Sequence, residues 1–163
     1  LFIMITYDKL IHFAPSSKEY TVVNWCIGNT CNYSCTYCPD YLHDGSIKWF
    51  DYDEVEHFCN RVINHFEDKK LYFEFTGGEP MMIQEHFDIL RKSVELGYSK
   101  NQMIHYNTNG TQYPEKEILE LFPHFKSVHV AFSVDDIEEK FEYQRYPAKW
   151  DEVNENIDKV NQH

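Results

Sequence analysis

Apolar positions along the chain alternate between two periods. Residues 20–27, Tyr-Thr-Val-Val-Asn-Trp-Cys-Ile, are β-branched and aromatic and predict a strand. Leu71–Phe75, Gln102–Tyr106 and Ser127–Phe132 predict three more. Between these runs the period becomes helical. Val55, Phe58, Cys59, Val62, Ile63 and Phe66 form one stripe behind an Asp51 N-cap, with Glu54 three residues on. Ile83, Phe87, Leu90 and Val94 form a second, stopped at Gly97. Pro114 suits a first helical turn ahead of Ile118, Leu119 and Phe122. Val153, Ile157 and Val160 mark a last helix from about Trp150.

Strands alternating with helices in this way predict an α/β fold with a parallel sheet, built from about four βα units joined by right-handed crossovers. Residues 1–19 read as an N-terminal extension with a short hairpin, ahead of a core over 20–163. In such folds sites form on the loops after the C-terminal ends of the strands. The cysteine-rich loop running to about Gly45, Gly77-Gly78-Glu79-Pro80, Asn107-Thr108-Asn109-Gly110 and Ser133-Val134-Asp135-Asp136 each follow a predicted strand. One shared site on one rim accounts for all four.

Composition narrows the function classes. Within 163 residues, 42% are apolar and 26% charged, which is a globular balance. Aromatic residues reach 17%, enough to line a core and part of a pocket. No apolar run approaches the ~20 residues of a membrane span, and Leu1–Pro15 lacks the basic lead and small-residue cleavage site of a signal peptide. The net charge of −12 argues against nucleic acid as a general partner. Five cysteines are an awkward number for a disulfide framework, and three of them crowd into Cys31–Cys38. That crowding favours metal ligation in a reducing compartment, and hence a cytoplasmic location.

Cys31-Asn-Tyr-Ser-Cys35-Thr-Tyr-Cys38 has the spacing C-x3-C-x2-C. Three thiolates on a short loop can hold three irons of a cubane cluster and leave the fourth open to a ligand. The alternative is a zinc site completed by His43 or a remote Cys, although zinc motifs usually pair two C-x2-C knuckles and no second knuckle exists. Cys26 and Cys59 read as small core residues.

The triple-cysteine loop, with aromatic Tyr37 just before its last Cys, resembles that of the radical S-adenosylmethionine (SAM) superfamily. Gly77-Gly78-Glu79-Pro80 is similar to the second motif of that family, and Asn109-Gly110 and Ser133-x-Asp135 sit where it places further cofactor contacts. The resemblance runs from about residue 20 to the end of the chain. It implies a partial, TIM-like (β/α) barrel. It also implies a [4Fe-4S] cluster on Cys31, Cys35 and Cys38 and bound SAM, with a reductant such as flavodoxin or ferredoxin as partner. Reductive cleavage of SAM would yield a 5′-deoxyadenosyl radical that abstracts hydrogen from a substrate. By the same resemblance, Gly77, Gly78, Glu79 and Pro80 receive the methionyl ammonium and Tyr37 packs near the adenine. Asn109 and Ser133 contact the methionyl or ribose part, and Arg145 pairs with the carboxylate.

The family core has six βα units where this chain supplies about four, and the chain begins at Leu1, so a fragment of a longer protein is expected. If the chain were complete, its last strand would leave an open edge. The run from Cys38-Pro39-Asp40 to His43-Asp44-Gly45, together with Phe141–Trp150, looks like the SPASM/twitch group, whose members often modify peptides or proteins. Two further readings stand beside that one. The first is a radical SAM enzyme acting on a small metabolite or nucleotide. The second is a non-enzymatic iron–sulfur or zinc module.

Overall fold

The computed structural model describes residues 2–6, 20–38, 44–48 and 70–162. The predicted helix over Val55–Phe66, with Cys59 in it, and His43 lie outside them. Among the described residues the strands are β1 (Phe2–Thr6), β2 (Thr21–Cys26), β3 (Gly28–Thr30), β4 (Asp44–Lys48), β5 (Leu71–Thr76), β6 (Gln102–Thr108) and β7 (Ser127–Ser133). The helices are α1 (Glu85–Glu95), α2 (Lys116–Leu121), α3 (Glu138–Gln144) and α4 (Trp150–Asn161).

One sheet has the order β1-β7-β6-β5-β2, in which β2, β5, β6 and β7 run parallel. This is the predicted α/β architecture, a partial barrel. Its register lines up Val23, Phe73, Ile104 and Val128 in one apolar row across four strands. Phe73, Ile104 and Val128 are wholly buried, and burying a side chain of this size stabilises by about 1.5–3 kcal/mol. The same face carries Phe75 and Tyr106, whose rings stack 5.4 Å apart and pack on His86 of α1. Because strand side chains alternate, the opposite face carries Glu74, His105, Asn107 and Ser133, all half-buried.

His86 is a polar residue inside the apolar layer. Burial pulls its pKa down to about 3, so the ring is neutral. Neutral imidazole has one donor and one acceptor. Its Nδ1–H donates to the Ile83 carbonyl, and Nε2 accepts from the Tyr106 hydroxyl at 3.0 Å. The helix ends where the sequence expects, at Gly97 in a left-handed conformation with φ of 78°.

Three features differ from the sequence reading. Residues 2–6 pair antiparallel with β7, Ile3 beside Phe132 and Ile5 beside Val130, and cover the edge expected to be open. The cysteine loop is framed by an antiparallel ribbon, β3 with β4, in place of an irregular run to Gly45. A helix, α3, follows β7. It buries a single apolar side chain, Phe141, and so shows no stripe in the sequence.

The end of β5 is pinned against β3. Gly78 N–H donates to the Gly28 carbonyl at 2.9 Å and Glu79 N–H to the Thr30 carbonyl at 2.7 Å. A Cβ on Gly78 would lie 2.2 Å from the Thr30 carbonyl oxygen. Gly78→Ala must therefore force two backbones apart, at an expected cost of about 2–3 kcal/mol. Gly97→Ala meets nothing within 4 Å and should lose only the roughly 1–2 kcal/mol of its left-handed conformation. Urea denaturation of the two variants measures the difference. Equal losses would show that β3 yields freely.

Candidate functional site

The cysteine loop leaves β3 at Cys31 and is held by backbone contacts to the far end of α3. Ser34 N–H donates to the Tyr146 carbonyl at 2.7 Å, and Thr36 N–H donates to the Gln144 carbonyl at 2.9 Å. A helix C-terminus leaves carbonyls without intrahelical partners, and here the loop takes two carbonyls in that region. Cys31, Cys35 and Cys38 carry no disulfide and are half-buried. All three line one cavity of about 230 Å³.

Most of the sequence-predicted residues meet there. Tyr37, Gly77 and Gly78 line the cavity, as do Asn109, Ser133 and Arg145. Gly77 has a φ of 132°, which favours glycine, and presents bare backbone to the space. Asn107, the first residue of the Asn107–Gly110 run, also lines it, as do Thr76 and Tyr33, to which the sequence reading gave no role. Thr76 was discoverable as an in-facing position at a strand end. Tyr33 sits within the cysteine motif, but it is 3% exposed, and its hydroxyl has no hydrogen-bond partner among the described residues.

Glu79 and Pro80 stand elsewhere. Pro80 is buried and opens a short 3-10 turn over Pro80–Met82. The Glu79 carboxylate is 0% exposed and accepts three hydrogen bonds. The donors are Met81 N–H at 3.0 Å, the Thr108 hydroxyl at 2.7 Å and Asn109 N–H at 2.6 Å. It ties the end of β5 to the end of β6 from behind the cavity.

Arg145 is 8% exposed and already has an anionic partner. Its Nε and Nη2 each lie 2.7 Å from Asp135 Oδ2, and the Tyr37 hydroxyl donates to the same oxygen at 2.7 Å. The guanidinium carbon also sits 5.5 Å from the Tyr37 ring centre, within cation–π range. Partial burial pushes the Asp135 carboxyl upward, but Tyr37 and Arg145 outweigh it and hold the pKa below the usual range. Asp135 organises this side of the rim. In the sequence it was visible only through Ser133-x-Asp135.

Burial raises the thiol pKa of Cys31 and of Cys35, with Arg145 opposing the rise at Cys35. Asn109 spends both ends of its amide. Its Oδ1 accepts from Thr111 N–H at 2.9 Å, and its Nδ2 faces Asn32 Oδ1 at 2.9 Å and the Cys31 sulfur at 3.8 Å.

Burial is the main influence on Glu79 and lifts its pKa above the unfolded value, with the three donors opposing it. Between those two values the folded chain holds a proton that the unfolded chain has released. Stability therefore falls as pH rises through that window. Glu79→Gln cannot titrate and should lack this decline. Denaturation series over about pH 4–8 compare the slopes, and parallel curves would mean that Glu79 does not titrate there.

Residues 25–163 match the family described as the radical SAM superfamily. Two solved structures share the fold. One is described as native anSMEcpe with bound AdoMet, with a TM-score of 0.62 and 23% identity over 88% of this chain and 40% of that protein. The other is SuiB of Streptococcus suis bound to S-adenosylmethionine, with a TM-score of 0.61 and 16% identity over 88% of this chain and 31% of that one. The chain thus spans less than half of either protein. No curated protein matches it in sequence. Among the described residues no helix is long and apolar enough to cross a membrane. With the family match covering most of its length, the chain belongs to the radical SAM superfamily.

Proposed function

We propose that this chain forms the cofactor-binding core of a radical SAM enzyme, with a [4Fe-4S] cluster on Cys31, Cys35 and Cys38. The observation that carries this reading is one cavity lined by three thiols, with no fourth Cys among the described residues that line it. That donor set fits a cubane with one iron left free. Among the described residues no three His, Cys, Asp or Glu side chains are set to hold a single metal ion. A structural zinc needs four ligands, and the C-x3-C-x2-C spacing without a second knuckle favours the cluster over zinc. The raised pKa values of Cys31 and Cys35 are compatible with it, because a bound metal supplies the charge that displaces thiol protons.

Cys31, Cys35 and Cys38 would hold the cluster, which when bound would supply the single electron for reductive cleavage of SAM. The protein's own groups bind and orient. Gly77 offers unobstructed backbone, Tyr37 an aromatic face and Ser133 a hydroxyl. Arg145 has five N–H hydrogens and uses two on Asp135, so others remain for a carboxylate. Glu79 and Pro80 act from behind, through the turn they set. A reductant of the flavodoxin or ferredoxin type is the expected electron source.

A peptide or protein substrate agrees best with the cavity side of the sheet. Glu74 there accepts from Asn24 at 3.2 Å and from Asn107 at 3.0 Å, and His105 lies beside His129. These groups make that wall polar and suit a hydrogen-bonding partner such as a peptide. A phosphorylated metabolite needs free cationic side chains, and among the described residues lining the cavity Arg145, paired with Asp135, is the one cation.

The test is anaerobic reconstitution with iron and sulfide, followed by dithionite and SAM. A brown protein that releases 5′-deoxyadenosine is expected, and Cys35→Ala should take up no cluster. A colourless zinc protein would overturn the cluster. A brown protein that never cleaves SAM would leave only a binding module.

A further inference from the structure

We propose that Asn109 is a positioning residue for the cluster, donating its side-chain amide N–H to the Cys31 sulfur and thereby raising the cluster's reduction potential. This rests on the assignment of Cys31 as a cluster ligand. It replaces the direct SAM contact that the family resemblance implies for Asn109.

The orientation of the amide follows from its neighbours. Thr111 N–H is a donor and nothing else, and it lies 2.9 Å from one end of the Asn109 side chain. That end must be the carbonyl oxygen, which also accepts the Thr111 hydroxyl at 2.6 Å. The NH₂ group therefore faces the other way. There it meets two acceptors for its two hydrogens, Asn32 Oδ1 at 2.9 Å and Cys31 Sγ at 3.8 Å.

The mounting is rigid. Asn32 returns its own Nδ2 to the Thr111 hydroxyl at 3.0 Å, which closes a ring of three side chains beside the sulfur. The Asn109 backbone is fixed by the buried Glu79 carboxylate at 2.6 Å, and the side chain sits in a site only 7% exposed. The Asn109 backbone N–H and both ends of its side chain are thus engaged, which holds one N–H toward the sulfur.

The physical consequence concerns charge. One-electron reduction adds a negative charge to a cluster and its thiolates, and an N–H directed at a ligand sulfur stabilises that charge. Removing the donor should make reduction harder. Asn109→Ser keeps a short oxygen for the Thr111 N–H but cannot reach the sulfur, and it adds no charge. Thr111→Val keeps the backbone N–H that orients the amide but removes the hydroxyl that closes the ring, and so loosens the donor's mounting.

The experiment is an anaerobic redox titration of reconstituted wild type, Asn109→Ser and Thr111→Val, followed by electron paramagnetic resonance in the absence of substrate. The expected result for Asn109→Ser is a roughly tenfold loss in the reduction equilibrium, about 59 mV more negative for one electron. Thr111→Val should shift in the same direction by less, and it decides the matter if Asn109→Ser assembles no cluster. A purely structural role would lower cluster occupancy without moving the midpoint, so unchanged or more positive potentials overturn the proposal. Failure of the wild type to take up any cluster would overturn the ligand assignment itself, and the proposal with it.

Discussion

The backbone of Gly78 lies against that of Thr30 with no space for a side chain between them, and two hydrogen bonds run across the contact. That approach joins the end of β5 to β3, the strand from which the cysteine loop departs. The next residue, Glu79, carries the connection on to β6 through Thr108 and Asn109. Two adjacent residues therefore set the relative positions of three strand ends. The thiols, the Asn109 amide and the bare backbone at Gly77 inherit their geometry from this junction.

The sheet keeps two environments apart. Its outer face is a layer of mainly aromatic and aliphatic side chains against the helices, and there a polar pair, His86 with Tyr106, is satisfied internally. Its inner face is polar and leads to the cavity. A buried charge survives only when it is paired or hydrogen-bonded, and each charge at the rim meets that condition: Arg145 through Asp135, and Glu79 through three donors. Helix α3 supports this rim from outside. It leads into Arg145, and carbonyls at its far end hold the cysteine loop.

Much of this was legible in the chain itself. The four parallel strands were visible because each is a short apolar run closed by glycine, asparagine or serine, and α1 and α4 because their stripes repeat at the helical period. The loops after those strands announced a site, since chemistry-bearing residues recurred where α/β folds place them. Less legible were β1, β3 and α3. The pairing of β1 with β7 joins segments more than a hundred residues apart, β3 is three residues long, and α3 buries only Phe141. None of them leaves a periodic trace.

For the site, the sequence by itself determined which residues gather at the rim, because strand ends and loop order are local properties of the chain. Only the tertiary structure decided what each does there. Glu79 turns its carboxylate away from the cavity because three donors converge behind it, Arg145 arrives already paired with Asp135, and Asn109 aims its amide at a sulfur seventy-eight residues away. Those roles depend on hydrogen-bond directions between distant segments. Spacing along a chain carries no record of them.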